Sequence, residues 1–125
     1  MFGQNLIKVL YDILNHRTKK RFFYLAKDPY EILSGLKTSN DHIGKLVDSF
    51  DSNELVKRLK KEKKAEALSV QFIYYLLSER AFMFVVELLL TYDVYLKDCY
   101  ELDSVVLDRR YRDDIYPLMS DNSHV

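Results

Sequence analysis

The order of apolar and polar residues in the first part of the chain predicts an amphipathic helix. Its apolar positions are Leu6, Ile7, Leu10, Ile13 and Leu14. Steps of three and four residues place side chains on one face of an α-helix. We therefore expect a helix over residues 4–16, with its apolar face directed toward a core.

Capping and turn residues mark the next helices. Asp28 followed by Pro29 is typical of a helix start, and Gly35 is expected to end that helix. Residues 38–41 (TSND) resemble a capping box, and an apolar stripe with helical spacing follows them. Residues 51–54 (DSNE) predict another helix start. Two further helices are thus expected after the one that Asp28 introduces.

The stretch from Glu54 to Thr91 contains no strong breaker, although its 38 residues exceed an ordinary helix. Apolar residues occupy most faces on both sides of Ser78–Arg80, so we predict an interruption there. A last apolar pattern at helical spacing runs from Asp103 to Met119, and Pro117 should end or kink the helix that it predicts.

These patterns predict an all-α fold of about five to seven helices, in a single domain that spans residues 1–125. Only three Gly and two Pro are present, whereas all-β folds need turn residues at short intervals. The polar residues 120–125 are expected to be frayed. Residues 10–17 (LYDILNHR) align with 73–80 (IYYLLSER). This similarity favours two stacked helical units, as in a short α-solenoid, and an irregular helical bundle is the alternative.

Charge content and cysteine usage indicate the cellular setting. Charged residues make up 30% and apolar residues 48% of the chain, which is typical of a globular protein. The single cysteine, Cys99, excludes an internal disulfide and fits a reducing compartment. The longest run without a charged residue or histidine is 67–78, shorter than the roughly 20 residues of a membrane span. We expect an intracellular protein without a membrane span, either cytoplasmic or nuclear.

No residue pattern points to catalysis, to a metal or to a cofactor. His16, His42 and His124 have no Cys or His neighbour at zinc-ligand spacing. The three glycines are isolated, so the chain has no glycine-rich phosphate loop. In the segment 108–114 (DRRYRDD), carboxylates and arginines fall at i,i+4 spacing, which predicts a self-neutralised helix surface. We therefore predict a protein that is not an enzyme and binds no cofactor.

Basic and acidic residues are unevenly distributed, although the net charge is zero. Residues 1–64 hold 14 Lys and Arg against 8 Asp and Glu, a balance of +6. Residues 65–125 hold 5 against 11, a balance of −6. Oppositely charged halves can attract each other between copies, so self-association is an open alternative.

Two basic clusters are candidates for binding an anionic partner. They comprise Lys19, Lys20, Arg21, Lys57, Arg58, Lys60, Lys61, Lys63 and Lys64. The second cluster contains no aromatic residue that could stack on a base, and the chain as a whole is neutral. We expect this cluster to be mainly the solvent-facing end of a helix. Contact with an acidic protein surface is one alternative, and nucleic acid, an acidic lipid or an import receptor is the other.

Tyrosine is concentrated in the second half of the chain. Seven of the ten tyrosines lie between Tyr74 and Tyr116, with arginines among the last of them. Tyr and Arg are over-represented in the hot spots of protein interfaces. We predict that a partner protein docks on a helical surface formed by Tyr92, Tyr95, Tyr100, Arg109, Arg110, Tyr111, Arg112 and Tyr116.

The favoured function is therefore a non-enzymatic protein–protein interaction module: an adaptor, an inhibitor or a subunit of a larger assembly. The first alternative is a nucleic-acid-associated helical protein that uses the basic clusters at 16–21 and 57–64. The second is a small all-α viral protein that modulates host signalling. It rests on composition, because Lys, Tyr, Phe, Ile and Asp are plentiful and Trp is absent, as in proteins of AT-rich genomes.

Overall fold

A computed structural model describes residues 3–18, 27–101 and 103–107, and it confirms the predicted all-α fold. Helix makes up 74% of these residues, and no strand is formed within them. The seven α-helices of this part are α1 (Gln4–Leu14), α2 (Pro29–Ser34), α3 (Asp41–Asp51), α4 (Glu54–Lys61), α5 (Ala65–Ser78), α6 (Phe82–Thr91) and α7 (Asp93–Cys99). A 3₁₀ turn, Gly35–Thr38, follows α2 directly.

The start of α2 agrees in detail with the sequence prediction. The Asp28 carboxylate accepts a hydrogen bond from the Glu31 backbone N–H (2.8 Å), and the Glu31 carboxylate accepts one from the Asp28 N–H (3.4 Å). This reciprocal arrangement is a capping box, with Pro29 at the first helical position. As predicted, α2 ends before Gly35.

The starts of α3 and α4 are close to their predicted positions, but asparagines cap them. Asn40 accepts a hydrogen bond from the Ile43 N–H, and Asn53 accepts one from the Leu55 N–H. Thr38, the first residue of the predicted capping box, is instead the last residue of the 3₁₀ turn. Asparagine is as good an N-cap as aspartate or serine, and it is the residue next to each helix here.

The stretch from Glu54 to Thr91 is interrupted twice, and only the second break was predicted. At each break a non-glycine residue adopts a left-handed backbone, Lys63 with φ 57° and Arg80 with φ 56°. The N–H of Lys64 donates to the Leu59 carbonyl, and the N–H of Ala81 donates to that of Leu76. Both ends are thus Schellman motifs, which satisfy the last carbonyls of a helix. The break at residues 62–64 corrects the expectation of one continuous helix up to Ser78.

The core is organised around α5, which contacts α1, α2, α4 and α6. Phe72, Ile73, Leu76 and Leu77 of α5 are almost completely buried. The buried residues of the other helices join them in one hydrophobic cluster. A helix that is apolar on most faces must be covered on most faces, which explains the central position of α5.

The internal similarity between residues 10–17 and 73–80 has a local structural counterpart. The two segments form the ends of α1 and α5, which pack against each other. Their aligned arginines, Arg17 (φ 53°) and Arg80, both have left-handed backbones. The residues that would extend the comparison, 22–25, lie outside the described part. Two stacked units therefore stay a prediction.

The predicted last helix lies mostly outside the described part of the chain. Of the segment 103–119, the structure describes residues 103–107, and these form turns rather than the start of a helix. The frayed end predicted for residues 120–125 also lies outside the described part. None of the described helices is both long enough and apolar enough to cross a lipid bilayer.

Candidate functional site

A broad groove lies where α6 meets α7. The chain bends at Tyr92, between Thr91 of α6 and Asp93 of α7, and this bend faces the 3₁₀ turn after α2. The groove between them has a volume of about 920 Å³. One wall is formed by residues of the 35–39 turn and the other by residues of 91–98. It is therefore built from the first half of the predicted tyrosine surface and from a turn that the sequence prediction left out.

The lip of this groove carries apolar side chains that face solvent. Val94 is 86% exposed and Tyr92 is 38% exposed. On α6, Phe84 is also exposed, and Leu88 follows it by one helical turn. Thr91 is three residues after Leu88 on the same face of α6 and lines the groove, so this face of the helix reaches the groove. Exposed apolar residues are ordinary when they are scattered, and they indicate an interaction site when they are contiguous.

Tyr95 shapes the floor of the groove and is held in place. Its hydroxyl donates to the carbonyl of Ile32 in α2 (2.7 Å), and Lys27 Nζ lies 5.3 Å from the centre of its ring. The phenol occupies the space beside Gly35 where any side-chain carbon would lie. Gly35 thus allows the turn after α2 to approach α7 closely, and Tyr95 fixes α7 to α2.

Tyr100 lies in the core, unlike the surface position that its prediction requires. It is 1% exposed, and its hydroxyl donates to the Leu14 carbonyl at the end of α1 (2.6 Å). Burial raises the pKa of its phenol well above the usual value. A buried, hydrogen-bonded ring offers no contact to a partner, so Tyr100 supports the fold here and is omitted from the interaction surface.

The remaining members of the predicted tyrosine–arginine surface lie outside the described residues. They are Arg109, Arg110, Tyr111, Arg112 and Tyr116. Of the eight predicted contact residues, the structure brings Tyr92 and Tyr95 together at one groove. Val94, Phe84 and the 35–39 turn were missed by the sequence analysis. Leu96 and Cys99 are the buried positions of α7 and lie three residues apart, on one face of the helix. Val94 is two residues before Leu96 and is therefore on another face, which could have been recognised from the sequence.

The basic cluster at 57–64 spans the end of α4 and the turn after it, and its six cations are exposed. Lys60 is engaged within the fold, because its Nζ lies 2.8 Å from Asp51 Oδ1 and 4.9 Å from the centre of the Tyr30 ring. Lys57 pairs with Glu54 and Lys64 with Glu62. The other cluster, Lys19, Lys20 and Arg21, lies outside the described residues.

Groups that could perform chemistry are dispersed in the described part of the structure. No three His, Cys, Asp or Glu side chains come close enough there to hold a metal ion. Cys99 is buried. Asp103 is paired with Arg17 (3.0 Å between Oδ1 and Nε), and this hydrogen bond holds the pKa of Asp103 below its usual value.

Comparisons with protein-family models, with curated proteins and with solved structures find no match to this chain. Its candidate function therefore rests on the geometry of its own residues.

Proposed function

We propose that this protein is a non-enzymatic interaction module that docks a partner protein on the α6–α7 groove. Tyr92 and Val94 supply apolar contacts at the lip of the groove, and Tyr95 supplies its floor. Phe84 and Leu88 extend the contact along α6. The partner is expected to present an apolar segment that fills the groove, and this protein would act on it as an adaptor, an inhibitor or a subunit of a larger assembly.

The observation that carries this proposal is the exposure of Val94. An 86% exposed valine lies beside a second exposed apolar residue, Tyr92, at the edge of a groove of about 920 Å³. Burying a valine side chain stabilises a complex by roughly 1.5–3 kcal/mol. Two neighbouring apolar residues that face water at the edge of a groove favour a surface that is covered in a complex.

The rigidity of the groove also supports the proposal. Tyr95 ties α7 to α2 through the Ile32 carbonyl, and the buried Tyr100 ties the end of α7 to α1. Side chains that are already ordered lose little conformational entropy when a partner binds. The two tyrosines thus hold in place the helix that carries Val94.

The test compares Val94→Asp with the unchanged protein in an affinity pull-down, with and without nuclease treatment of the lysate. An aspartate in the first turn of α7 suits the helix dipole, so the variant is expected to fold. The expected result is a protein partner that survives nuclease treatment and is lost with Val94→Asp. We expect affinity for that partner to fall by at least about tenfold, which corresponds to about 1.4 kcal/mol.

The matched control is Val9→Asp, which places the same charge on an exposed valine of α1, 45% exposed and distant in sequence from the groove. It should leave partner capture unchanged. Equal capture by the Val94→Asp variant and the unchanged protein would contradict the proposal. Charge reversal of Arg109, Arg110 and Arg112 in the same measurement tests whether the interaction surface extends to those predicted residues.

A further inference from the structure

A second groove, which shares no residue with the first, lies where α4 packs on α5. It has a volume of about 350 Å³ and extends between the start of α4 and the end of α5. None of the residues that line it is charged, and they include Asn53, Leu55, Gln71, Tyr74 and Tyr75. Because 30% of the residues in the chain are charged, a cleft lined by uncharged residues differs from what its composition would lead one to expect.

Leu55 is the apolar residue that this groove leaves in water. Val56, its neighbour on α4, is buried, and Leu59 packs partly against the core. Leu55 is 43% exposed at the edge of the groove. It can therefore contact an apolar side chain that enters the groove from outside.

Arg58 and Lys61, here called the charged margin, lie on α4 beyond the groove residue Leu55, and neither of them is among the residues that line the groove. Arg58 and Lys61 follow Leu55 at successive steps of three residues, so they lie on adjoining turns of α4. Arg58, Lys61 and Lys63 have no ion pair within the described part of the chain, whereas the other three cations of the cluster do. The margin thus keeps positive charge that the described structure does not neutralise.

We propose that the α4–α5 groove binds an acidic protein segment in which Asp or Glu residues flank an aliphatic or aromatic anchor. The anchor would enter the uncharged groove beside Leu55, and the carboxylates would face Arg58 and Lys61. Charge complementarity of this kind steers association and selects the partner. The protein then has two separate docking surfaces, which is the property that defines an adaptor.

The same cations also raise the question of nucleic acid, which the surrounding residues disfavour. Bases that bind to proteins usually stack on exposed aromatic rings. No aromatic residue lies within 57–64, and Tyr74 and Tyr75 are half-buried against the core. Among the described residues, no cation lines the groove itself, so its interior offers a phosphate no positive charge. An acidic peptide with an apolar anchor uses both parts of the surface.

The experiment is a selection of random displayed peptides on the full chain, followed by affinity measurements on the enriched peptides by fluorescence anisotropy. The variants are Arg58→Glu with Lys61→Glu, which reverses the charged margin, and Leu55→Ser, which removes the apolar contact. Gln71→Glu is a further variant at an exposed position of the groove, where a carboxylate would repel the peptide without any effect on the core. Melting curves verify that each variant is folded.

The controls match the variants in kind and lie away from the groove. Lys37→Glu with Lys8→Glu produces the same change in net charge at exposed positions, and Val9→Ser removes an exposed valine of α1. We expect peptides in which acidic residues flank one apolar anchor. Their affinity should fall by at least about tenfold in each groove variant and stay unchanged in the controls.

Three results would overturn the proposal. The first is a set of enriched peptides without acidic residues, and the second is a set that binds the groove variants and the unchanged protein equally well. The third concerns a labelled single-stranded oligonucleotide of about 20 nucleotides, a length that exceeds the site size of typical single-strand-binding domains. If it binds more tightly than any peptide, loses affinity on reversal of Arg58 and Lys61 and ignores Leu55→Ser, the basic margin serves nucleic acid instead. Failure here leaves the α6–α7 groove unaffected, because the two surfaces share no residue.

Discussion

Three tyrosines that follow one another closely along the chain have three different roles. Tyr92 is exposed, Tyr95 is half-buried and bonded to α2, and Tyr100 is buried and bonded to α1. Their residue type alone predicts a surface position for all three. Their roles depend on which carbonyls of α1 and α2 come within reach, and those contacts span 63 and 86 residues. Local spacing carries no information about partners so distant along the chain.

Asp28 is a partly buried carboxylate at the contact between α2 and α5. Its carboxylate caps α2 and also accepts a hydrogen bond from the Ser69 hydroxyl of α5 (3.4 Å). The Ser69 oxygen in turn accepts a hydrogen bond from the Tyr30 N–H. Burial raises the pKa of Asp28 to about 6, although the hydrogen bond from the Glu31 N–H acts in the opposite direction. The folded protein therefore holds this proton more tightly than the unfolded chain, where the pKa is about 3.9.

This difference predicts a pH dependence with a definite sign. The stabilisation that comes from tighter proton binding by Asp28 in the folded state is fully present below about pH 3.9. It is lost as the pH rises through about 6. Between pH 5 and pH 7 we expect the unfolding free energy of the unchanged protein to fall relative to that of Asp28→Asn. Urea unfolding at several pH values measures this difference.

The control for this measurement is Asp41→Asn, which replaces an exposed carboxylate in the first turn of α3. It should not reproduce the trend between pH 5 and pH 7. If the unfolding free energies of the unchanged protein and of Asp28→Asn kept a constant difference over this range, the buried cap would not be the titrating group.

At the scale of helices, starts were easier to predict than ends. Starts depend on short polar side chains that accept a hydrogen bond two or three residues ahead, and such residues stand before α2, α3 and α4. Ends depend on a residue with a left-handed backbone, which is usually glycine. Here Lys63 and Arg80 take that position, and both residue types also favour helix interiors. The end of α4 therefore had no signal in the sequence.

Replacing lysine by glycine should change the unfolding free energy in opposite directions at the end of α4 and within it. Lys63→Gly should raise the unfolding free energy by about 0.5–1 kcal/mol, because glycine removes the strain of a left-handed lysine. Lys57→Gly, within α4, should lower it by about 1 kcal/mol, because glycine is a poor helix former. Thermal and urea unfolding of both variants measure the two changes. A loss of stability in Lys63→Gly would contradict the Schellman geometry of this end.

At the scale of the whole molecule, the fold is closed by contacts of Glu101, Ser104 and Val105 with the end of α1. The Glu101 N–H donates a hydrogen bond to the Arg17 carbonyl, and Ser104 Oγ donates one to the His16 carbonyl. The Val105 N–H donates to Nδ1 of His16. The overall fold class followed from local patterns, because helices and their apolar faces are local. The contact between these two segments could not be predicted in the same way, because neither segment contains a local pattern that identifies the other as its partner.

Tyr100→Phe tests the contribution of this closure to the stability of the whole protein. The substitution removes the hydroxyl that satisfies the Leu14 carbonyl, and an unsatisfied buried polar group costs about 1–3 kcal/mol. We expect the midpoint of thermal unfolding to fall accordingly, in a single cooperative transition. Tyr92→Phe is the matched control, since it removes an exposed hydroxyl, and it should change stability by less than about 0.5 kcal/mol. Equal melting curves for the two variants would contradict a role of Tyr100 in the fold.

The closure at the end of α1 also has a consequence for biosynthesis. The nascent chain emerges with its N-terminus first, at about 5–20 residues per second, so α1 waits for several seconds before its closing segment is made. During that time the carbonyls of Leu14, His16 and Arg17 lack the partners that they have in the finished protein. Ribosome-bound chains that stop before residue 100 should therefore be more sensitive to protease at residues 14–18 than released protein. The segment that secures the first helix is thus made 86 residues after Leu14, whose carbonyl it satisfies.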